Sequence, residues 1–210
     1  MPATSFVFMF IERPLFFLPW LFPSAWWRKK EDQKAVYLTF DDGPVPEVTP
    51  DVLAILDQFG VKATFFCVGD NVRKYPELFQ KVIEKGHHVG NHTFNHIKGF
   101  SWSVEDYLDN VAKAALLIDT KLVRPPHGQL TPALYRALNM RYQVVMWDLI
   151  TRDYNQAFTP ERILRNVQKY VRNGSIVVFH DSLKAKRNVL EALPEAIKFL
   201  QQQGYQFKKL

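Results

Sequence analysis

Tyr37-Leu38-Thr39-Phe40-Asp41-Asp42-Gly43-Pro44 is the stretch on which the reading of this chain turns. The apolar run over 35–40 has the β-branched and aromatic character of a buried strand, and it ends on two adjacent carboxylates. Gly43 and Pro44 then turn the backbone away. Side chains alternate along a strand, so neighbouring acids at its end point in different directions. One can hold a cation while the other handles a proton. In isolation Asp-Asp-Gly-Pro reads equally well as a solvated turn, and the wider pattern has to separate the two.

From residue 35 onward the chain alternates strand and helix signals. Strands are expected at 35–40, 62–68, 87–91, 122–124, 142–147, 175–180 and 205–208. Helices are expected over 49–59, opened by Thr49-Pro50 and stopped by Gly60, and over 76–85, opened by Pro76. Ser103 is the cap of a third, whose apolar stripe is Tyr107, Leu108, Val111, Ala115 and Ile118. Thr131-Pro132 and Thr159-Pro160 open two more. A last helix is expected over about 190–203, with Pro194 in or near its first turn.

About seven strand–helix units in a chain of this length predict an α/β barrel rather than an open sheet. In such barrels the chemistry gathers at the carboxyl ends of the strands. Asp41 and Asp42 follow the first strand, His92 the third, and Arg124 ends the fourth. Asp148 and Asp153 follow the fifth, and His180 ends the sixth.

The 210 residues, 47% of them hydrophobic, suffice for one large core. Cys67 is the only cysteine, so no intrachain disulfide can form, and its apolar surroundings predict a buried, inert thiol. A net charge of +6 would suit nucleic acid, an anionic membrane or an acidic polymer. The basic residues are scattered and no nucleic-acid motif occurs, so a generally basic surface is the preferred reading.

Residues 1–34 stand apart as an aromatic and basic arm ahead of a catalytic domain at 35–210. Phe, Leu, Trp and Pro dominate residues 6–27, and Arg28-Lys29-Lys30 follow. It is not a convincing secretory signal, having no basic n-region and no clear small-residue cleavage site, and it makes a poor spanning helix, because Glu12 and Arg13 interrupt it and Pro14, Pro19 and Pro23 break the ladder. Two readings stand. The arm packs its aromatics on the barrel, which is favoured, or residues 5–30 make a peripheral contact at a membrane interface. Compartment is left open: the lone cysteine and missing leader do not require export.

Four further stretches carry chemistry. In Asn91-His92-Thr93-Phe94-Asn95-His96 the two histidines are four apart, expected on one side of a helical turn. With Asp42 they make an Asp-His-His set with open positions, suited to zinc, cobalt, nickel or ferrous iron. Arg124-Pro125-Pro126-His127-Gly128 is a stiff loop whose arginine can pair with a carboxylate. Trp147 to Tyr154 carries Asp148 and Asp153. Ile176-Val177-Val178-Phe179-His180-Asp181 reads as a buried strand that delivers His180.

Together, in this order, the five stretches resemble the polysaccharide deacetylases of carbohydrate esterase family four, from about residue 35 to the C-terminus. The resemblance implies a distorted (β/α)7 barrel and removal of N-acetyl groups from GlcNAc-type sugars of chitooligosaccharide, peptidoglycan or a related polymer, at the cell envelope. It implies Asp41 as general base, Arg124 as the residue holding it, His180 as general acid and Asp153 as its orienter. Asp42, His92 and His96 would hold one divalent ion, zinc first, cobalt or nickel otherwise. The N–H of His127 would meet the oxyanion, with Tyr154 and Val178 walling the acetyl methyl. His127 stands where the family usually has Tyr, Tyr154 where Trp is common, and Val178 where Leu is common. Two competing readings are a glycan-binding barrel without turnover and a ferrous oxygenase using the Asp-His-His set.

Overall fold

The computed structural model describes residues 12–210. The strands are β1 (Ala35–Asp41), β2 (Thr64–Cys67), β3 (His88–Asn91), β4 (Leu122–Val123), β5 (Gln143–Val144), β6 (Leu149–Ile150), β7 (Ser175–His180) and β8 (Gln206–Phe207). The helices are α1 (Leu18–Leu21), α2 (Thr49–Gln58), α3 (Gly69–Lys74), α4 (Pro76–Glu84), α5 (Val104–Ala115), α6 (Pro132–Asn139), α7 (Pro160–Tyr170) and α8 (Lys186–Gln202). The strands run parallel in the order β5-β4-β3-β2-β1-β7-β6, with β8 added to the first residues of β1. The two end strands do not pair, so the barrel is open between β5 and β6.

All of β1 is buried, as a continuous apolar run at the centre of a parallel sheet requires. Its two faces do different work. Val36, Leu38 and Phe40 join Phe65, Cys67, Val177 and Phe179 in the large core beneath the helices. Tyr37 packs with Phe66, Val145 and Ile176 inside the barrel. Thr39 and Asp41 share that inner face by alternation, so the polar end of β1 emerges at the barrel's mouth. Helix starts follow local chemistry: the Ser103 hydroxyl accepts from the N–H of Asp106, and that of Thr131 from Leu134.

Residues 6–11 of the aromatic stretch lie outside the described residues. Of the rest, Leu18, Phe22, Ala25 and Trp27 are buried in a second core with Tyr107, Leu134 and Leu138. Phe16, Phe17, Trp20 and Leu21 are exposed. Trp26 bridges Val145 and Arg28 bridges Ser175, so this segment lies across the amino end of the open seam. The carbonyl of Glu12 accepts from the N–H of Ile150 on the free side of β6.

Several expectations need correction. The fifth strand is not continuous over 142–147: β5 stops at Val144, the chain bends, and β6 starts at Leu149. Asp148 therefore precedes β6 and sits at the opposite end from the mouth, where its carboxylate accepts from Arg172, Ser175 and Arg13. The last helix begins at Lys186, and Pro194 lies in its interior. The lost hydrogen bond is tolerated because Val189, Leu193, Ala196, Ile197 and Leu200 bury one face in the core. The two histidines of the His-x-x-x-His motif are not on a helix. They lie in a loop after β3, with Thr93 and His96 at left-handed φ of 62° and 54°. Side-chain oxygens of Asn91 and Asn110 take the N–H groups of Thr93, Phe94 and Asn95, replacing a helical ladder.

Candidate active site

Asp41 and His180 are register partners on adjacent strands, β1 and β7. Both side chains follow the inner faces of those strands, as do Thr39 and Val178 two residues below. The sheet thus sets a carboxylate and an imidazole side by side at the mouth.

Arg124 is fully buried immediately after β4. Its guanidinium donates to Asp41 Oδ1 at 2.6 Å and Thr39 Oγ1 at 2.8 Å. It also donates to the carbonyls of Met146 at 3.0 Å and Val145 at 3.3 Å. Its flat face lies 4.0 Å from the centre of the Phe66 ring. A buried cation survives when its donors are met and a counter-charge is present, and both hold here.

Across the mouth, Asp153 Oδ1 accepts from Nδ1 of His180 at 2.7 Å, and Oδ2 accepts from the His180 backbone N–H at 2.7 Å. Burial works against charge on His180, but the neighbouring Asp153, its hydrogen bond, and the charges of Asp42 and Asp41 prevail and raise it to about 9. At neutral pH it is an imidazolium with Nε2–H free of Asp153. The Tyr154 ring meets the His180 ring edge-on at 4.9 Å, and Val178 is fully buried beneath.

Asp42 lies one residue beyond Asp41 with a φ of 83°, which swings its carboxylate off the strand axis. Its Oδ1 is 3.1 Å from Nε2 of His96 and 3.7 Å from Nε2 of His92. One donor atom from each of the three residues lies within 4.8 Å of the others. Ligands about 2.0–2.2 Å from a tetrahedral ion sit roughly 3.2–3.6 Å apart, so the cluster fits a divalent cation of zinc type. The protonation states fit as well. Burial, with His96 adding to it and Asp41 opposing, lowers His92 to about 4, leaving a neutral imidazole. Burial would raise Asp42, but His96, His180 and His92 outweigh it and hold the carboxyl below its usual range.

His127 stands next to this cluster, its ring 4.7 Å from that of His96 in an edge-on contact. It has a left-handed φ of 58°, and Gly128 follows at 65°. A Cβ at Gly128 would lie 2.3 Å from Cη2 of Trp147, so glycine is required where the loop crosses the indole.

Asp41, Asp42, His92, His96, Arg124, His127, Asp153, Tyr154, Val178 and His180 are thus assembled around one mouth, and Asp148 alone is elsewhere. Two supporting residues were not foreseen. Thr39 shares the Arg124 guanidinium with Asp41. Asn188, only 3% exposed, donates to the carbonyls of Asp153 and Asn155. Asn188 precedes the expected helix start at 190, so its place on the buried face of α8 is set only by the earlier start at Lys186.

An Asp-His-His cluster flanked by a buried Arg–Asp pair and an Asp–His pair, at the carboxyl ends of a parallel barrel, defines a hydrolytic centre. Residues 28–145 match the family model described as polysaccharide deacetylase, and the chain belongs to that family. It is 33% identical over 189 residues to a peptidoglycan-N-acetylglucosamine deacetylase of Bacillus cereus, covering 86% of this chain and 88% of that one. It is 32% identical over 196 residues to a chitooligosaccharide deacetylase of a Bradyrhizobium strain, covering 84% and 89%. A crystal structure of a peptidoglycan N-acetylglucosamine deacetylase with a bound naphthalenyl N-oxidanyl-benzamide superposes with a TM-score of 0.87 at 27% identity, covering 94% and 95%. The distorted, open (β/α)7 barrel of that family is the fold of this chain.

Proposed function

We propose that this protein is a metal-dependent N-deacetylase that removes acetyl groups from GlcNAc-type residues of peptidoglycan or a related oligosaccharide, releasing acetate at the cell envelope. The observation that carries the reading is the pairing of Asp41 with His180 across β1 and β7, beside the Asp42–His92–His96 cluster.

Asp42, His92 and His96 would hold one divalent ion, zinc foremost, and that ion would supply Lewis acidity towards the amide carbonyl and lower the pKa of water. Asp41, held by Arg124, takes a proton from the water that attacks the carbonyl carbon. The N–H of His127 donates to the developing oxyanion. An amine leaves poorly unless protonated. As the C–N bond breaks, His180 gives its Nε2 proton to the departing nitrogen, and Asp153 stabilises the charged form until then. Tyr154 and Val178 wall the space for the acetyl methyl. The products are acetate and a free amino sugar.

A ferrous oxygenase has no use for the two buried acid–base pairs, and a binding-only barrel has no need to keep His180 charged. The deciding experiment measures acetate release from peptidoglycan fragments and chitooligosaccharides. Turnover is expected with zinc, cobalt or nickel, lost on chelation and in Asp41→Asn. Metal-loaded protein that releases no acetate from either substrate class refutes the reading.

A further inference from the structure

Asp181 follows His180 directly and takes no part in the chemistry above. The residue is 1% exposed, and among the described residues no cation pairs with its carboxylate. Burying an unpaired carboxylate is costly, so its hydrogen bonds have to account for it. Oδ1 accepts from the backbone N–H of Gly43 at 3.0 Å. Oδ2 accepts from the Thr49 hydroxyl at 2.6 Å. That hydroxyl itself accepts from the N–H of Val45 at 2.7 Å, so its proton is free for Asp181. The Asp181 backbone N–H donates to the carbonyl of Asp41 at 3.1 Å.

These bonds all end on the turn that carries Asp42 or on the helix start behind it. The turn needs holding, because Asp42 has the left-handed φ of 83°. A non-glycine residue there is strained and persists only when its surroundings over-determine it. Gly43 backs directly onto the carboxylate: a Cβ there would lie 1.9 Å from Asp181 Oδ2. The contact is therefore built into both partners. An asparagine at 181 has a single acceptor oxygen for two converging donors, so it cannot reproduce the arrangement without turning one donor around.

We propose that Asp181 is a positioning residue for Asp42. It fixes the left-handed turn that aims Asp42 at His92 and His96, so that a divalent cation binds more tightly. The inference rests on the metal reading given under Proposed function. Asp181 touches neither substrate nor reacting atoms.

The test uses the full chain stripped by chelator and titrated with zinc alone, in competition with a chromophoric chelator. Wild type, Asp181→Asn, Asp181→Ala and Thr49→Val are compared, with thermal unfolding of each stripped protein alongside. Loss of a partner behind a ligand weakens metal binding about 10–100-fold, and that range is expected for Asp181→Ala. Asp181→Asn falls between Ala and wild type, and Thr49→Val, which removes one of the two donors, weakens binding less than Ala. The zinc concentration giving half-maximal acetate release moves by the same factor as the affinity. A purely structural clamp lowers the unfolding temperature while folded protein keeps its zinc affinity, and variants binding within about twofold of wild type overturn the proposal. Wild type that binds no zinc fails the metal reading itself, a different result from wild type and variants binding equally well.

Discussion

The backbone carbonyl of Arg124 accepts a hydrogen bond from Nδ1 of His92 at 2.7 Å. A carbonyl oxygen can only accept, so Nδ1 carries the proton and Nε2 presents its lone pair towards Asp42. The same residue's guanidinium grips Asp41 at 2.6 Å. One position after β4 therefore sets the tautomer of a candidate metal ligand with its backbone and holds the candidate base with its side chain.

Arg124 is consequently expected to tolerate no substitution. Arg124→Met strips the counter-charge from Asp41, which is 5% exposed, and such a loss costs about 3–5 kcal/mol. Arg124→Lys keeps the charge but cannot reach Asp41, Thr39 and two carbonyls together. Urea unfolding should show both variants destabilised, Met more than Lys, and acetate release should fall at least about 100-fold in each.

His180 gives the protein a signature in pH. Its folded value of about 9 lies above the ordinary histidine value of 6.5. The stability this contributes is fully present below about 6.5 and is lost as pH rises through about 9. The Tm should therefore decline between those limits. Asp153→Asn removes the main cause of the shift, so the decline should flatten and the alkaline limb of the activity profile should move to lower pH. An unchanged limb in Asp153→Asn would rule out Asp153 as the group that keeps His180 charged.

Gly128→Ala tests the loop that carries His127. The new methyl meets Trp147 at 2.3 Å with φ held at 65°, so backbone or indole must move. Strain of about 1–3 kcal/mol is expected from such a clash. A fall in kcat with little change in zinc affinity would locate the damage at the oxyanion side. Full activity would show that the loop geometry is dispensable.

Trp27→Ala addresses the segment ahead of β1. The indole is 8% exposed in the second core, and its Nε1–H donates to the carbonyl of Phe22 at 3.3 Å. Truncating a buried tryptophan costs about 3–5 kcal/mol, and chemical denaturation should register a loss of that order. A loss below about 1 kcal/mol would mean that residues 12–30 decorate the barrel rather than stabilise it.

Much of the site is legible in the amino-acid sequence. The apolar run into Asp41-Asp42-Gly43-Pro44 marked β1 and its polar end, since an inner strand of a parallel sheet is buried on both faces and needs no alternation. His92 and His96 were recognisable as ligand types, although their geometry was not: the left-handed turns at Thr93 and His96 depend on Asn91 and on Asn110, a helix away. Asp148 looked like a member of the mouth until the bend after Val144 placed it at the other end with Arg172 and Ser175.

The amino-acid sequence by itself determined the alternation of strands and helices, the central strand, and which acids, imidazoles and arginine were available for chemistry, because burial pattern and turn residues are local properties. Only the tertiary structure decided that Asp41 and His180 face each other in register, that Arg124 serves two partners, and that residues 26–28 bridge Val145 and Ser175 across the open seam between β5 and β6. Those outcomes depend on which backbone and side-chain donors meet acceptors far away in the chain, and local periodicity carries no information about such partners.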